Sequence, residues 1–258
     1  MTDLLLIGAT ERELAPLADA LADARDVAGA WGPARRGRLA GLDVVVAPLG
    51  VGKARTAAGL AWALARARPV AVLQVGVGGA YVGSFLSVGL AMLADVELEL
   101  DLGVATGDGW ADVDALRVPL WPTPTPIERR ETGTHAGLTA ALSEITSVPR
   151  GRFATLDAVT ADFEVGAALQ RRFDVSIESM EGAAAALVAA RMGVPFAELR
   201  AVSNVVGERD RRRWDLSGAA RGASSVAAAA IAGLVDHPTW TALRRDTAEK
   251  RPDERVVD

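Results

Sequence analysis

Residues 70–94 read VAVLQVGVGGAYVGSFLSVGLAMLA, a run of 25 residues with five glycines and no charge. Length alone would let such a run cross a bilayer as a helix. Its texture argues for a sheet instead. Val70 to Val75 has the length and β-branched content of a strand, Gly76-Val77-Gly78-Gly79 interrupts it, and short apolar runs separated by turn residues follow. A buried strand, a glycine-rich turn and a second buried strand account for the stretch, and the flanking chain offers no further membrane element. A strand apolar on both faces belongs in a sheet covered by helices on both sides.

Working outward, the same alternation recurs. Upstream lie a strand at Leu4–Gly8, an amphipathic stretch from Glu11 to Ala24, a polar hairpin-like segment around Gly37 and Gly41, a strand at Leu42–Leu49 and a helix at Lys53–Ala67. Downstream, Pro119, Pro122, Pro124 and Pro126 predict a loop up to His135, because each fixes φ and removes a backbone donor. A loop of that length either closes over a ligand or crosses the surface. Helices follow at His135–Ile145, Ala161–Phe173, Glu181–Met192 and Ser217–Val235, with strands near Phe153, at Val175–Ile177 and at Phe196–Val202. The pattern predicts a three-layer α/β/α architecture around a central mixed, largely parallel sheet. Residues 1–235 read as one catalytic domain, and residues 236–258 as a charged, flexible tail without periodicity.

Composition narrows the function. Half the residues are hydrophobic and 24% are charged, with a net charge of −5, which argues against a surface that tracks nucleic-acid phosphates. Any nucleic-acid-like ligand is expected to be small. The absence of cysteine removes disulfides, thiolate zinc sites and cysteine nucleophiles. Only His135 and His237 supply imidazole, and neither stands beside a motif that would complete a metal site or a Ser-His-Asp triad. No metal and no cofactor are expected. The opening MTDLLLIGATERE lacks the basic segment and long apolar run of a signal peptide, so the expected location is the cytoplasm, with no membrane partner.

In sheets of this kind, ligands bind at the carboxyl ends of the strands. Four segments fall there: Gly8-Ala9-Thr10-Glu11-Arg12-Glu13, Gly50-Val51-Gly52-Lys53, Gly76-Val77-Gly78-Gly79 and Ser203-Asn204. Gly50 to Lys53 lacks the spacing of a phosphate loop and has Ala54 where that loop needs a hydroxyl, so a tight strand-to-helix turn is preferred. Gly76 to Gly79 fits a structural turn or a ligand cradle equally. Glu13 and Glu181 each fall at a helix start, where an acid commonly complements the helix dipole. Together with Asn204, however, they form two carboxylates and an amide carried to one rim by three separate strand ends, a set able to surround a sugar and a base.

These segments resemble the nucleoside phosphorylase and nucleosidase superfamily, and more narrowly its hydrolases. Gly8 to Glu13 is similar to the opening motif of the methylthioadenosine/S-adenosylhomocysteine nucleosidases, and Gly50–Lys53, Gly76–Gly79, Ser179-Met180-Glu181-Gly182 and Arg200-Ala201-Val202-Ser203-Asn204 follow in that family's order, over residues 3 to 235. The resemblance implies a nucleoside phosphorylase-like fold and hydrolysis of a purine nucleoside. It casts Glu13 as the base that activates water and Glu181 as holder of the ribose hydroxyls, with Met180 and Ser179 beside the sugar. Gly78 and Gly79 would border the sugar, Val159 and Thr160 would lie under the base, and Ser203 would accompany Asn204 at the leaving group. It also implies a homo-oligomer, dimer or larger.

Two departures refine that expectation. The Gly-Asp-Pro-x-Arg-like phosphate motif of the phosphorylases is missing, which favours water as the nucleophile. Asn204 stands where adenosine-type nucleosidases carry an Asp. An amide donates to a 6-oxo oxygen or to N7 but is no acid, which points to a 6-oxopurine. The Ser-Asn element followed by the Arg/Asp-rich stretch Val205–Trp214 is similar to the futalosine hydrolases of that superfamily. Arg209, Arg211, Arg212 and Arg213 are then either a solvated basic turn or a contact for a substrate carboxylate. The alternatives are a methylthioadenosine/S-adenosylhomocysteine nucleosidase and a non-catalytic nucleoside-binding protein.

Overall fold

The computed structural model describes residues 2–106, 109–117, 120 and 131–249. Its elements run β1 (Leu4–Gly8), α1 (Glu11–Asp19), β2 (Ala22–Ala28), β3 (Pro33–Leu39), β4 (Leu42–Pro48), α2 (Lys53–Ala67), β5 (Ala71–Ala80), β6 (Ala91–Glu99), β7 (Gly103–Thr106), β8 (Gly109–Asp112), β9 (Glu131–Gly133), α3 (Ala136–Thr146), β10 (Arg150–Thr155), α4 (Phe163–Phe173), β11 (Ile177–Ser179), α5 (Gly182–Arg191), β12 (Phe196–Val205), α6 (Leu216–Leu234) and α7 (Pro238–Glu249). The main sheet has the order β11-β10-β6-β12-β5-β1-β4-β3-β2, with β9 added on β6. Strands β4, β1, β5 and β12 run parallel, whereas β2, β3 and the β6–β12 contact are antiparallel. The sheet is thus mixed, as expected.

Period-2 alternation splits the core into two layers of packing. On β1, Leu4 and Leu6 face one side with Leu14 and Leu17 of α1, Leu138 and Leu142 of α3 and the alanine stripe of α6; Leu5 and Ile7 face the other with Leu60 and Leu64 of α2 and Ala185 and Ala189 of α5. The alanines of α5 and α6 let these helices lie close to the sheet. Because one end of β5 also pairs antiparallel with β11, the β5–β12–β6–β10–β11 portion curls back on itself. That curl brings β5, β11 and β12 around a common space.

Several expectations are corrected. The stretch from Val70 to Ala94 supplies β5 and the start of β6, but Gly76–Gly79 is no turn: β5 continues through it to Ala80. The glycines are required by close approach. A Cβ on Gly76 would sit 2.8 Å from Arg200 Nη1 and 2.9 Å from Glu13 Oε1, and one on Gly78 would sit 2.6 Å from Ile177. Ser203-Asn204 likewise lies inside β12, at a register shift between Val202 and Asn204, rather than after the strand. The first helix ends at Asp19, and Ala22 onward is β2; this largely exposed strand has no apolar alternation to reveal it.

At the other end, residues 238–249 form α7 instead of loose tail. Pro238 occupies its first turn, His237 Nδ1 accepts from Thr239 N, and Trp240 and Leu243 bury against the core that includes α3. Two large apolar side chains, Trp240 and Leu243, are too few to show a period. Residues 250–258 lie outside the described residues. So does most of the Pro119–His135 loop; of its end, Glu131–Gly133 pairs with β6 and His135 caps α3. Among the described residues, no single helix is long and apolar enough to cross a membrane.

Candidate functional site

The curled end of the sheet encloses a cavity of about 550 Å³. Its wall carries the ten residues to which the family resemblance assigned a part: Glu13, Gly78, Gly79, Val159, Thr160, Ser179, Met180, Glu181, Ser203 and Asn204. They come from α1, β5, the loop before α4, β11 and its exit, and β12. Strand ends from distant parts of the chain converge here because the parallel strands point the same way.

Glu13 serves two purposes. It occupies the third position of α1 in a capping box: Thr10 Oγ1 accepts from Glu13 N (3.3 Å), and Glu13 Oε2 accepts from both Thr10 N and Thr10 Oγ1 (2.9 Å each). Its other oxygen, Oε1, accepts from Val77 N at 3.1 Å. The helix-start reading is thus borne out by the capping box, and the same side chain also lines the cavity. A carboxylate offers about four lone-pair positions, and three are taken here. The fourth is left for a ligand in the cavity.

Glu181 follows β11 and precedes α5, with its side chain almost wholly buried. Its Oε1 accepts from Gly52 N (3.2 Å) and its Oε2 from Arg200 Nη2 (3.0 Å). Burial raises the carboxyl above the usual range and the charge of Glu13 adds to this, while Arg200 and the Gly52 N–H oppose it. Gly52 takes φ +91°, a conformation that glycine adopts freely. The Gly50–Lys53 turn is thus structural, and it also serves the site. Lys53 does not face a phosphate: its Nζ is held by Glu99 (2.8 Å) and Asp101, and its N–H donates to Asp157 Oδ1.

Three further residues build the site that the sequence reading gave no role. Arg200 is fully buried in the floor, with Nε on Glu198 Oε1 (2.6 Å), Nη1 on Val77 O (2.9 Å) and Nη2 on Glu181. Glu178 accepts from Tyr81 Oη (2.9 Å), Thr160 N (2.8 Å) and Thr160 Oγ1 (2.6 Å), which pins the Val159–Thr160 segment to the wall. Arg12, whose Nη2 donates to Ser217 Oγ, forms part of the rim. A signal for the Glu198–Arg200 pair was present: two opposite charges two residues apart in an otherwise apolar strand must face the same buried side.

On the β12 side of the cavity, Ser203 Oγ lies 3.2 Å from Gly78 O and 2.8 Å from Asn204 Oδ1; its one proton serves one of the two, the shorter contact being to the amide oxygen. Asn204 Nδ2 donates to Val205 O at 3.1 Å and keeps a second N–H. Arg209 and Arg211 both line the cavity and flank Trp214, each 5.4 Å from its ring centroid. Arg212 and Arg213 instead pair with Asp210 and Glu208 and are exposed.

The sequence matches the Phosphorylase superfamily over residues 3–237. It is 36% identical over 185 residues to a futalosine hydrolase of Thermus thermophilus, covering 68% of this chain and 76% of that one. It is 30% identical over 207 residues to a 5'-methylthioadenosine/S-adenosylhomocysteine nucleosidase of Geobacillus thermodenitrificans, covering 79% and 84%. The fold matches the native structure of futalosine hydrolase from Helicobacter pylori with a TM-score of 0.77 at 21% identity, covering 89% and 97% of the two chains.

Proposed function

Since the chain belongs to the phosphorylase superfamily and is an N-glycosidic bond hydrolase within it, we propose that it hydrolyses futalosine to hypoxanthine and dehypoxanthine futalosine, a step of menaquinone biosynthesis. The observation that carries this reading is the state of Asn204. With Oδ1 2.8 Å from Ser203 Oγ and one N–H uncommitted, the side chain offers the cavity a donor and, unlike an aspartic acid, has no proton to transfer to N7. Hypoxanthine presents two acceptors to that donor, O6 and N7, whereas adenine presents N7 alone beside a 6-amino group that competes for the same N–H position.

The remaining residues fit hydrolysis of the glycosidic bond. The open lone pair of Glu13 takes a proton from water as that water attacks the anomeric carbon. Glu181 has two lone-pair positions left after Gly52 and Arg200, a number that suits the two ribose hydroxyls. Both carboxylates favour the positive charge that grows on the sugar as the bond to the base breaks. Met180, Ser179, Gly78 and Gly79 border the sugar, and Val159 and Thr160 lie under the base, held by Glu178. Arg209 and Arg211 beside Trp214 suit a carboxylate on an aromatic group at the far end of the substrate. The proposed working form is a cytoplasmic homo-oligomer, dimer or larger; exposed Phe85, Phe163 and Val165 give it apolar surface for a second copy to cover.

Incubation with futalosine in phosphate-free buffer is expected to release hypoxanthine. Cleavage of methylthioadenosine with futalosine left intact would establish the adenosine-type nucleosidase instead, and binding without any turnover would establish a nucleoside-binding protein. Asn204→Asp is expected to move the ratio of kcat/KM toward 6-aminopurine nucleosides by about 10- to 100-fold, the worth of one repaired and one broken hydrogen bond. An unchanged 6-oxo preference would mean that the base is read elsewhere.

A further inference from the structure

Behind the cavity floor, Glu97 of β6 and Glu198 of β12 are both fully buried on neighbouring antiparallel strands. One guanidinium, that of Arg200, serves this region, and its Nε is taken by Glu198 Oε1 at 2.6 Å. Glu97 Oε2 accepts from Thr155 Oγ1 at 3.1 Å, and that hydroxyl in turn accepts from Ala183 N at 2.8 Å, just beyond Glu181. The remaining oxygens, Glu97 Oε1 and Glu198 Oε2, receive no N–H or O–H from the described residues. Both carboxyls also close on one glycine: a Cβ on Gly182 would lie 2.3 Å from Glu97 Oε2 and 2.4 Å from Glu198 Oε2.

Two ionised carboxylates crowded in a dry site repel each other, and each would keep an unanswered oxygen. A single proton between them removes both problems. We propose that Glu97 and Glu198 share one proton, with Glu97 the neutral donor, and that this buried acid pair is a positioning device: it fixes Glu198 against Arg200 Nε and so holds the two Nη atoms of Arg200 on Glu181 and Val77 at the cavity floor. Glu97, Glu198 and Arg200 then sum to zero charge. The negative charges of Glu181 and Glu13 are left to face the sugar.

Burial raises the carboxyl of Glu97 well above the usual range; the charge of Glu198 adds to this, and Arg200 and Thr155 oppose it. Among the described residues, the register partners of the pair carry no charge: Thr132 on β9 and Phe153 on β10 for Glu97, and Gln74 on β5 for Glu198; α5 brings Gly182 and alanines, and the carboxylate of Glu181 at its start is turned to Arg200 Nη2.

The catalytic consequence rests on the reaction proposed above, but the protonation state is testable without substrate. Glu97→Gln keeps a donor toward Glu198 and cannot ionise. A carboxyl whose folded pKa lies above its unfolded value costs nothing below the unfolded value, and the cost grows as pH rises toward the folded one. Thermal melts are therefore expected to show E97Q level with the parent near about pH 4 and more stable by several degrees near about pH 8. An infrared band of a protonated carboxyl in the parent is expected to vanish in E97Q. A temperature offset independent of pH, or an unchanged infrared band, would overturn the proposal. With whichever nucleoside the enzyme cleaves, E97Q is expected to hold kcat within about threefold, whereas E97L, which removes the donor, is expected to lose about 10- to 100-fold, mainly in kcat. Loss in E97Q equal to that in E97L, with E97Q folded, would show that an ionised Glu97 is needed and would likewise overturn the proposal. Should E97L fail to fold, the E97Q melts and spectrum decide alone.

Discussion

Glu13→Gln is expected to lower kcat for release of the purine base by about 10²- to 10⁴-fold, the usual contribution of a general base, with KM changed by less than about threefold. The hydrogen bonds around Glu13 say why the variant should still fold and bind. Thr10 N and Thr10 Oγ1 both aim at one oxygen, so the amide oxygen of the substituted side chain would settle there and preserve the capping box, which accepts Gln as well as Glu. The amide NH2 would then face Val77 N–H, losing one hydrogen bond at a cost of about 1 kcal/mol. Single-turnover rates with substrate in excess of KM separate the two effects. Turnover near that of the parent would remove Glu13 from the chemistry, and a loss carried by KM alone would recast it as a binding residue.

Arg200→Met is expected to be the most damaging single change to stability, about 3–5 kcal/mol near neutral pH, because it leaves Glu181 and Glu198 as buried carboxyls without their cation. At the scale of a chain this size, that is a fall in Tm of roughly 10 °C. The sign of its pH dependence follows from the same geometry. Arg200 holds the proton affinity of Glu181 down against burial; without it, the folded pKa rises further above the unfolded value. The stability of the variant is therefore best preserved below about pH 4, where the unfolded carboxyls are protonated as well, and declines as pH rises toward the folded pKa. Melts from acidic to mildly alkaline pH test this. A deficit that does not vary with pH would mean that lost packing, rather than unpaired charge, is what the substitution removes.

Much of the site was legible in the chain itself. Glu13, Glu181 and Asn204 stood out because polar groups at the ends of apolar strands have little structural reason to be there in combination, and all three line one cavity. What composition and spacing did not disclose was the layer beneath. Glu198 and Arg200 carried a local signal, their i, i+2 spacing in an apolar strand, but Glu97 and Glu178 did not: a lone charge inside a strand looks like surface until the partner that satisfies it is known. Glu97 meets Glu198 across roughly a hundred residues of chain, a separation at which periodicity carries no information.

The same distinction divides the fold. Sequence by itself determined the main alternation of helix and strand, the two-faced burial of Val70–Val75 and the identity of the polar residues near the carboxyl ends of the strands, because these depend on local periodicity and turn chemistry. Only the tertiary structure decided that Gly76–Gly79 stays within β5 and that α7 docks through Trp240. It also decided that residues 77–79, within the run whose glycine-broken texture suggested a sheet interior, line the cavity where β5 pairs with β11. Each of these turns on which distant atoms approach a given backbone position. The glycines at 76 and 78 are there because Arg200, Glu13 and Ile177 already occupy the space a side chain would need.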